Sequence, residues 1–234
     1  MLKSKITKEE VNLLPVAIFE GKITVVDDVS KIQPAIDELL QAKIVGLDTE
    51  TKPSFTRGTH HKVSLVQIST LSHCFLFRLN YIGFPVQLAE FLSNDNIKKI
   101  GLSLRDDLAG LNRHHKFSAA NFVDIQSIAQ SYGILELSLQ KIYAILFDKK
   151  ISKAQRLTNW ESPELTEQQQ RYAATDAWAS LQIYLQLMRE NKLPKREVEK
   201  MLRDKLNEQR ELQAMRNQLE SKDELSTTTN EESK

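Results

Sequence analysis

The chain has 234 residues, 41% of them hydrophobic, and a formal net charge of +1. That is enough apolar material for one good-sized core, or for one domain plus an appendage, and the balanced charge means that any nucleic-acid site must come from local clustering. A single cysteine, Cys74, excludes a disulfide framework and a zinc site built on several thiolates.

The first 20 residues form a lead segment. They hold no apolar run long enough for a signal peptide or a membrane span, which points to a soluble, cytoplasmic protein with no membrane partner. Lys22 to Asp28 then predicts a short strand, and Val29 to Ala42 carries Ile32, Ala35, Ile36, Leu39 and Leu40 at helical spacing. "KIVGLD" predicts the next strand, and Pro53 and Gly58 mark the following segment as a loop. "KVSLVQIST" and "HCFLFRL" predict two more strands, with Cys74 as a small buried hydrophobe in the second. Val86 to Leu92 predicts a short helix, "IKKIGLS" a strand, and "LRDDLAGLNRHH" a helix. From Gly133 onward only helical patterns are visible. Strand–helix alternation of this kind means an α/β domain, residues 21–191, with helices around one mixed sheet. A highly charged helix with a thin apolar stripe follows over 192–222 and suits packing on the domain or on another copy, and a polar tail over 223–234 predicts disorder.

Three acidic stations stand on this frame. Asp48 and Glu50, separated by one threonine at the end of an apolar strand, point to the same face of the sheet. Asp106 and Asp107 open a helix just after a strand. Acids there complement the helix macrodipole, and Asp107, followed by Leu108 and Leu111, is the one on the sheet-facing side. Thr166 and Gln169 make a capping box that starts a late helix. Inside it Tyr172 and Asp176, four residues apart, share a face with Ala173, Ala174 and Ala177, small residues that allow close approach to a sheet. Together the stations form a pattern that can hold two divalent cations, Mg²⁺ or Mn²⁺, which take oxygen ligands. Such ions, about 3.5–4 Å apart, clamp the attacking and leaving oxygens of an in-line phosphoryl displacement.

"GLDTETKP", "KKIGLSLRDDLAGL" and "YAATDAWA" resemble, in order and spacing, the three motifs of the tyrosine subtype of the DEDD superfamily of 3′–5′ exonucleases, the group of ribonuclease D and the Werner syndrome exonuclease domain. "SKAQRLTNW" resembles the Lys–Arg–Trp segment that members carry ahead of the third motif. Three departures are visible: Ser103 where many relatives have asparagine, the extra acid Asp106, and Pro163 one place early. The resemblance implies a ribonuclease H-like fold, two Mg²⁺ or Mn²⁺ ions and release of nucleoside 5′-monophosphates from a 3′ end. It implies Asp48, Glu50, Asp107 and Asp176 as metal ligands, Glu50 at the terminal 3′-hydroxyl, and Tyr172 as the residue that orients the attacking water.

Two basic clusters suit phosphate contacts: Lys52, Arg57, His60, His61 and Lys62 after the first motif, and Lys141, Lys149, Lys150, Lys153 and Arg156 before the third. Each also fits a solvated face. Trp160 reads as core, and His114 and His115 as an exposed pair at a helix end. The expected substrate is single-stranded or 3′-recessed DNA, with RNA 3′-end trimming as one alternative. A catalytically silent nucleic-acid-binding module is the other.

Overall fold

The computed structural model describes residues 2–56 and 61–231. The chain divides into two units, residues 1–191 and 192–234. In chain order the first unit contains α1 (Lys8–Leu13), β1 (Val16–Ala17), β2 (Lys22–Val26), α2 (Ile32–Leu39), β3 (Ile44–Thr51), β4 (Val63–Ser69), β5 (His73–Arg78), α3 (Leu79–Ile82), α4 (Val86–Ser93), β6 (Lys98–Gly101), α5 (Leu104–His114), β7 (Phe122–Asp124), α6 (Ile125–Ala129), α7 (Leu139–Phe147), β8 (Lys150–Ile151) and α8 (Glu167–Leu187). The second unit is α9 (Lys195–Glu231).

Six strands form one mixed sheet in the order β2-β5-β4-β3-β6-β7. β3, β4 and β5 run as an antiparallel meander, while β6 joins β3, β7 joins β6 and β2 joins β5 in parallel. The strand that carries Asp48 and Glu50 is therefore central. Its alternation sorts the two layers of helix. Val45 and Leu47 enter a core cluster with residues of α2, α4 and α5. Gly46 faces the other way, where α8 lies so close that a Cβ would come within 1.8 Å of the Ala177 carbonyl oxygen. A residue with any side chain there would hold α8 off the sheet, so this glycine sets how near the third acidic station comes to the first.

The lead segment is built into the first unit. Thr7 and Glu10 close a capping box on α1, β1 pairs with β8, and Ile6, Val11 and Phe19 are buried. The structure thus corrects the separate lead segment over 1–20. It also adds β8 to a region that shows only helical patterns in the sequence, because a two-residue strand has no period to read. Past residue 222, where the composition predicts a disordered tail, the helix runs on to Glu231; helical geometry needs only local backbone bonds, so a polar run without core residues can continue it. Leu212 and Met215 of its apolar stripe are exposed. No described helix is long and apolar enough to cross a membrane.

Candidate active site

The end of β3 supplies the first carboxylates. Asp48 and Glu50 point to the α8 side of the sheet, and a register shift between Glu50 and Thr51 marks a bulge just beyond them. Bulges re-aim side chains next to active sites. From α8, started by the reciprocal Thr166–Gln169 capping box that the sequence predicts, Asp176 comes down onto the same spot. One carboxylate oxygen from each of Asp48, Glu50 and Asp176 lies within 4.8 Å of the others. Tyr172, one turn earlier on α8, lines the same cleft as Asp48 and Asp176, and its hydroxyl and the Asp176 carboxyl act on each other's titration.

Burial drives the electrostatics. It pushes Glu50 up to about 10, with the charges of Asp48, Asp176 and Asp107 adding to the shift and Arg156 opposing it. Burial raises Asp176 to about 7 against the Tyr172 hydroxyl and the nearby Lys153, and it raises Asp48, helped by Asp176 and Asp107. Tyr172 is pushed above its ordinary value by burial and then by the Asp176 and Glu50 charges, so it stays protonated. Among the described residues none of the three clustered acids is in an ion pair. Opposite Asp48 in the sheet, Gln67 is fully buried, and neither end of its amide finds a described partner. An all-oxygen, anionic donor set with no protein cation seated in it fits hard divalent cations.

Asp107 stands at one remove. It is half-buried on the first turn of α5 and accepts a hydrogen bond from the Thr49 hydroxyl, outside the trio that converges within 4.8 Å. Burial raises its carboxyl and the Thr49 bond lowers it. Asp106, its neighbour, is exposed. The start of α5 is held by Asp124, whose carboxylate accepts from the backbone N–H of Ser103 at 3.1 Å, of Leu104 at 3.0 Å and of Gln126 at 2.9 Å.

The basic candidates separate. Lys153 and Arg156 line a cleft of about 150 Å³ together with Asp48, Tyr172 and Asp176. Lys52 pairs with Glu161 at 3.3 Å. Lys62 is exposed at the foot of β4, and Arg57 and His60 lie outside the described residues. Trp160 is fully buried, as its core assignment expects, and packs 6.0 Å from the Tyr172 ring. The segment that carries Lys153, Arg156 and Trp160 is pinned from below: Arg78 donates to the carbonyls of Ser162 and Pro163, and Gln169 donates to Thr158 and to the Asn159 carbonyl. Thr49, Asp124 and Arg78 were not legible as site residues. Asp124 alone carried a signal, an acid directly before a helical run.

A mixed sheet with an acidic cluster at the end of its central strand, crossed by a helix that brings down a Tyr–Asp pair, defines the ribonuclease H-like class of nuclease domain. The 3′–5′ exonuclease family model matches residues 23–192, and the chain belongs to that family. The chain is 33% identical over 161 residues to the mouse bifunctional 3′–5′ exonuclease/ATP-dependent helicase WRN, covering 64% of this chain and 11% of that protein. It is 33% identical over 146 residues to a 3′–5′ exonuclease of Arabidopsis thaliana, covering 60% of this chain and 51% of that one. Among solved structures, the Aedes aegypti Nibbler EXO domain superposes with a TM-score of 0.66 at 21% identity, over 80% of this chain and 99% of that chain. Escherichia coli RNase D gives 0.65 at 22% identity, over 71% and 44%. The fold class expected from the motifs is thereby established. The chain spans about half the length of the plant relative and a tenth of the mouse one.

Proposed function

We propose that the protein is a metal-dependent 3′–5′ exonuclease that hydrolyses phosphodiester bonds from a 3′ end and releases nucleoside 5′-monophosphates. The observation that carries this reading is the convergence of Asp48, Glu50 and Asp176 within 4.8 Å, with Tyr172 lining the same cleft. Asp48, Glu50 and Asp176 would hold two divalent cations, Mg²⁺ or Mn²⁺, with Asp107 completing the set from its place beside Thr49. When bound, the cations would lower the pKa of the attacking water and neutralise charge on the phosphoryl oxygens.

The chain's own residues do the rest. Tyr172, kept protonated, orients the attacking water instead of deprotonating it. Glu50 meets the terminal 3′-hydroxyl and so fixes polarity. Lys153 and Arg156, across the cleft, hold the phosphate against the carboxylates and offset their repulsion. The substrate is single-stranded or 3′-recessed DNA. RNA trimming keeps the same chemistry, and the E. coli structure is described as an exoribonuclease involved in structured RNA processing. A cytoplasmic setting belongs to this proposal. The test is digestion of end-labelled single-stranded DNA, duplex DNA and RNA with Mg²⁺ or Mn²⁺. Stepwise loss from the 3′ end, blocked by a 3′-phosphate, is expected. Cleavage of a closed circle, or no hydrolysis of any substrate, overturns the reading.

A further inference from the structure

The helix that carries Asp107 ends in a surface the catalytic chemistry does not use. Asp107 and His114 lie seven residues apart on one face of α5, about 10 Å along its axis. At that far end His114 is half-buried, its Nε2 enclosed without a described hydrogen-bond partner, and it feels the charges of Lys62 and Arg113. The Arg113 guanidinium lies over Gly110, beside the Val63 side chain. Lys116 follows directly. Lys62, Arg113, His115 and Lys116 are all exposed, and among the described residues neither Lys62, Arg113 nor Lys116 is in an ion pair. Charge is only half of the surface. The Phe84 ring stacks with His115 at 5.9 Å and 12° between planes, with Phe117 at 5.8 Å and with His114 at 6.2 Å.

Basic side chains from two separate segments, placed around a stack of flat rings, are what a single nucleic-acid strand requires: cations for its phosphates and π-faces for its bases. An acidic protein would use the charges but leave the rings idle. We infer that the C-terminal end of α5, with the foot of β4, is a strand-guiding surface that binds the nucleotides upstream of the bond being cut. It rests on the exonuclease reading for its orientation, since the strand's 3′ end lies at the carboxylates and α5 joins the two places. Lys62 belongs to the basic cluster after the first motif; Arg113 and Lys116 add charge to it, and the exposed His115 ring, backed by half-buried Phe84 and Phe117 packed on the core, offers a face for a base.

The experiment uses the full chain and two variants of exposed residues, the double variant Arg113→Gln/Lys116→Gln and His115→Ala, each checked by thermal melting. Binding of a fluorescent single-stranded 20-mer is followed by anisotropy across a salt series, without divalent cations so that no hydrolysis occurs. The double variant should bind about tenfold more weakly, with a salt slope shallower by about 1.4, two contacts at about 0.7 each for a single strand. His115→Ala should weaken binding with the slope unchanged, because it removes a ring face and no charge-paired phosphate. A dinucleotide, whose one phosphodiester is the scissile one, should be hydrolysed at the wild-type rate by all variants. Unchanged 20-mer affinity and slope overturn the inference, as does equal impairment on dinucleotide and 20-mer. Equal competition by polyglutamate of matched charge also overturns it, because the rings would then play no part. If the wild type hydrolyses neither substrate, the exonuclease reading falls, and the anisotropy series still decides the surface.

Discussion

Asp107 and Asp106 are neighbours in sequence with opposite surroundings. Asp106 is exposed, whereas Asp107 is half-buried, held by the Thr49 hydroxyl and close enough to raise Asp48 and Glu50. Asp107→Ala, which removes one carboxylate of the set, should therefore nearly abolish hydrolysis. Asp106→Ala should keep most of it. The reverse order in initial rates would shift the second station by one residue. Tyr172 tests a different function. Its raised pKa leaves it a hydrogen-bond donor at every working pH, so its contribution is orientation. Tyr172→Phe keeps the ring beside Trp160 and removes only the hydroxyl, so stability should change by no more than about 1 kcal/mol. The rate should fall by about 10²–10⁴-fold, the range of a positioned acid–base group. A variant that cleaves at the wild-type rate would make Tyr172 a structural residue. These two positions were legible because an acid in the first turn of a helix after a strand, and a Tyr–Asp pair one helical turn apart, are patterns the sequence displays directly. Thr49 was not, since a threonine in a strand has a sufficient reason to be there in its β-branched shape alone.

At the scale of elements, α5 shows how a helix start is placed with care. Ser103, just before it, has φ of 59°, in the left-handed region, and makes no side-chain cap. The capping is delegated to Asp124, which spans from the start of α6 to the start of α5. Left-handed backbone strains a serine but suits glycine and is tolerated by asparagine. Ser103→Gly should relieve that strain without touching the Asp124 bonds, which run to backbone N–H groups. Set against the greater chain entropy of glycine, a net gain of about 0.5–1 kcal/mol is expected, or a rise in melting temperature of about 1–4 °C for a domain of this size. A fall in melting temperature would mean the serine hydroxyl has a role the geometry does not show. Element types were read well where period and length cooperate: β3 to β6, α4, α5 and α8 occupy the stretches assigned to them. The misses are short. β7 and β8 have three and two residues, too few for an alternation, and are strands only because the sheet's edge and β1 supply their partners. The α1 helix was different, for Thr7 and Glu10 displayed their capping box openly three residues apart.

Across the whole molecule, carboxylates from positions 48, 50 and 176 meet, with Asp107 at one remove on α5, because β3 is central, β6 lies beside it and α8 crosses both. The sequence could supply the residues and their order, but the closeness depends on Gly46 and on the Arg78 and Gln169 anchors, which act through tertiary contact. Gathering acids at one point carries a cost that can be measured. In the metal-free protein the folded state holds Glu50 near 10 and Asp176 near 7, against about 4 for both in the unfolded chain. A raised carboxyl means that the folded state binds more protons than the unfolded one, so stability falls as pH rises. The contribution is fully present below about pH 4. It is lost as pH rises to 7 for Asp176, and to 10 for Glu50. Melting curves in chelator should show a transition temperature that declines steadily from pH 5 to pH 9. A divalent cation binds the ionised carboxylates and only the folded state assembles them, so it should stabilise the protein by mass action. The gap between melting temperatures with and without Mn²⁺ should widen with pH, and titration of Mn²⁺ at pH 6 should release protons. A gap that stays constant from pH 5 to pH 9, or a protein whose melting ignores both chelator and cation, would show that these carboxylates do not act together as a cation site.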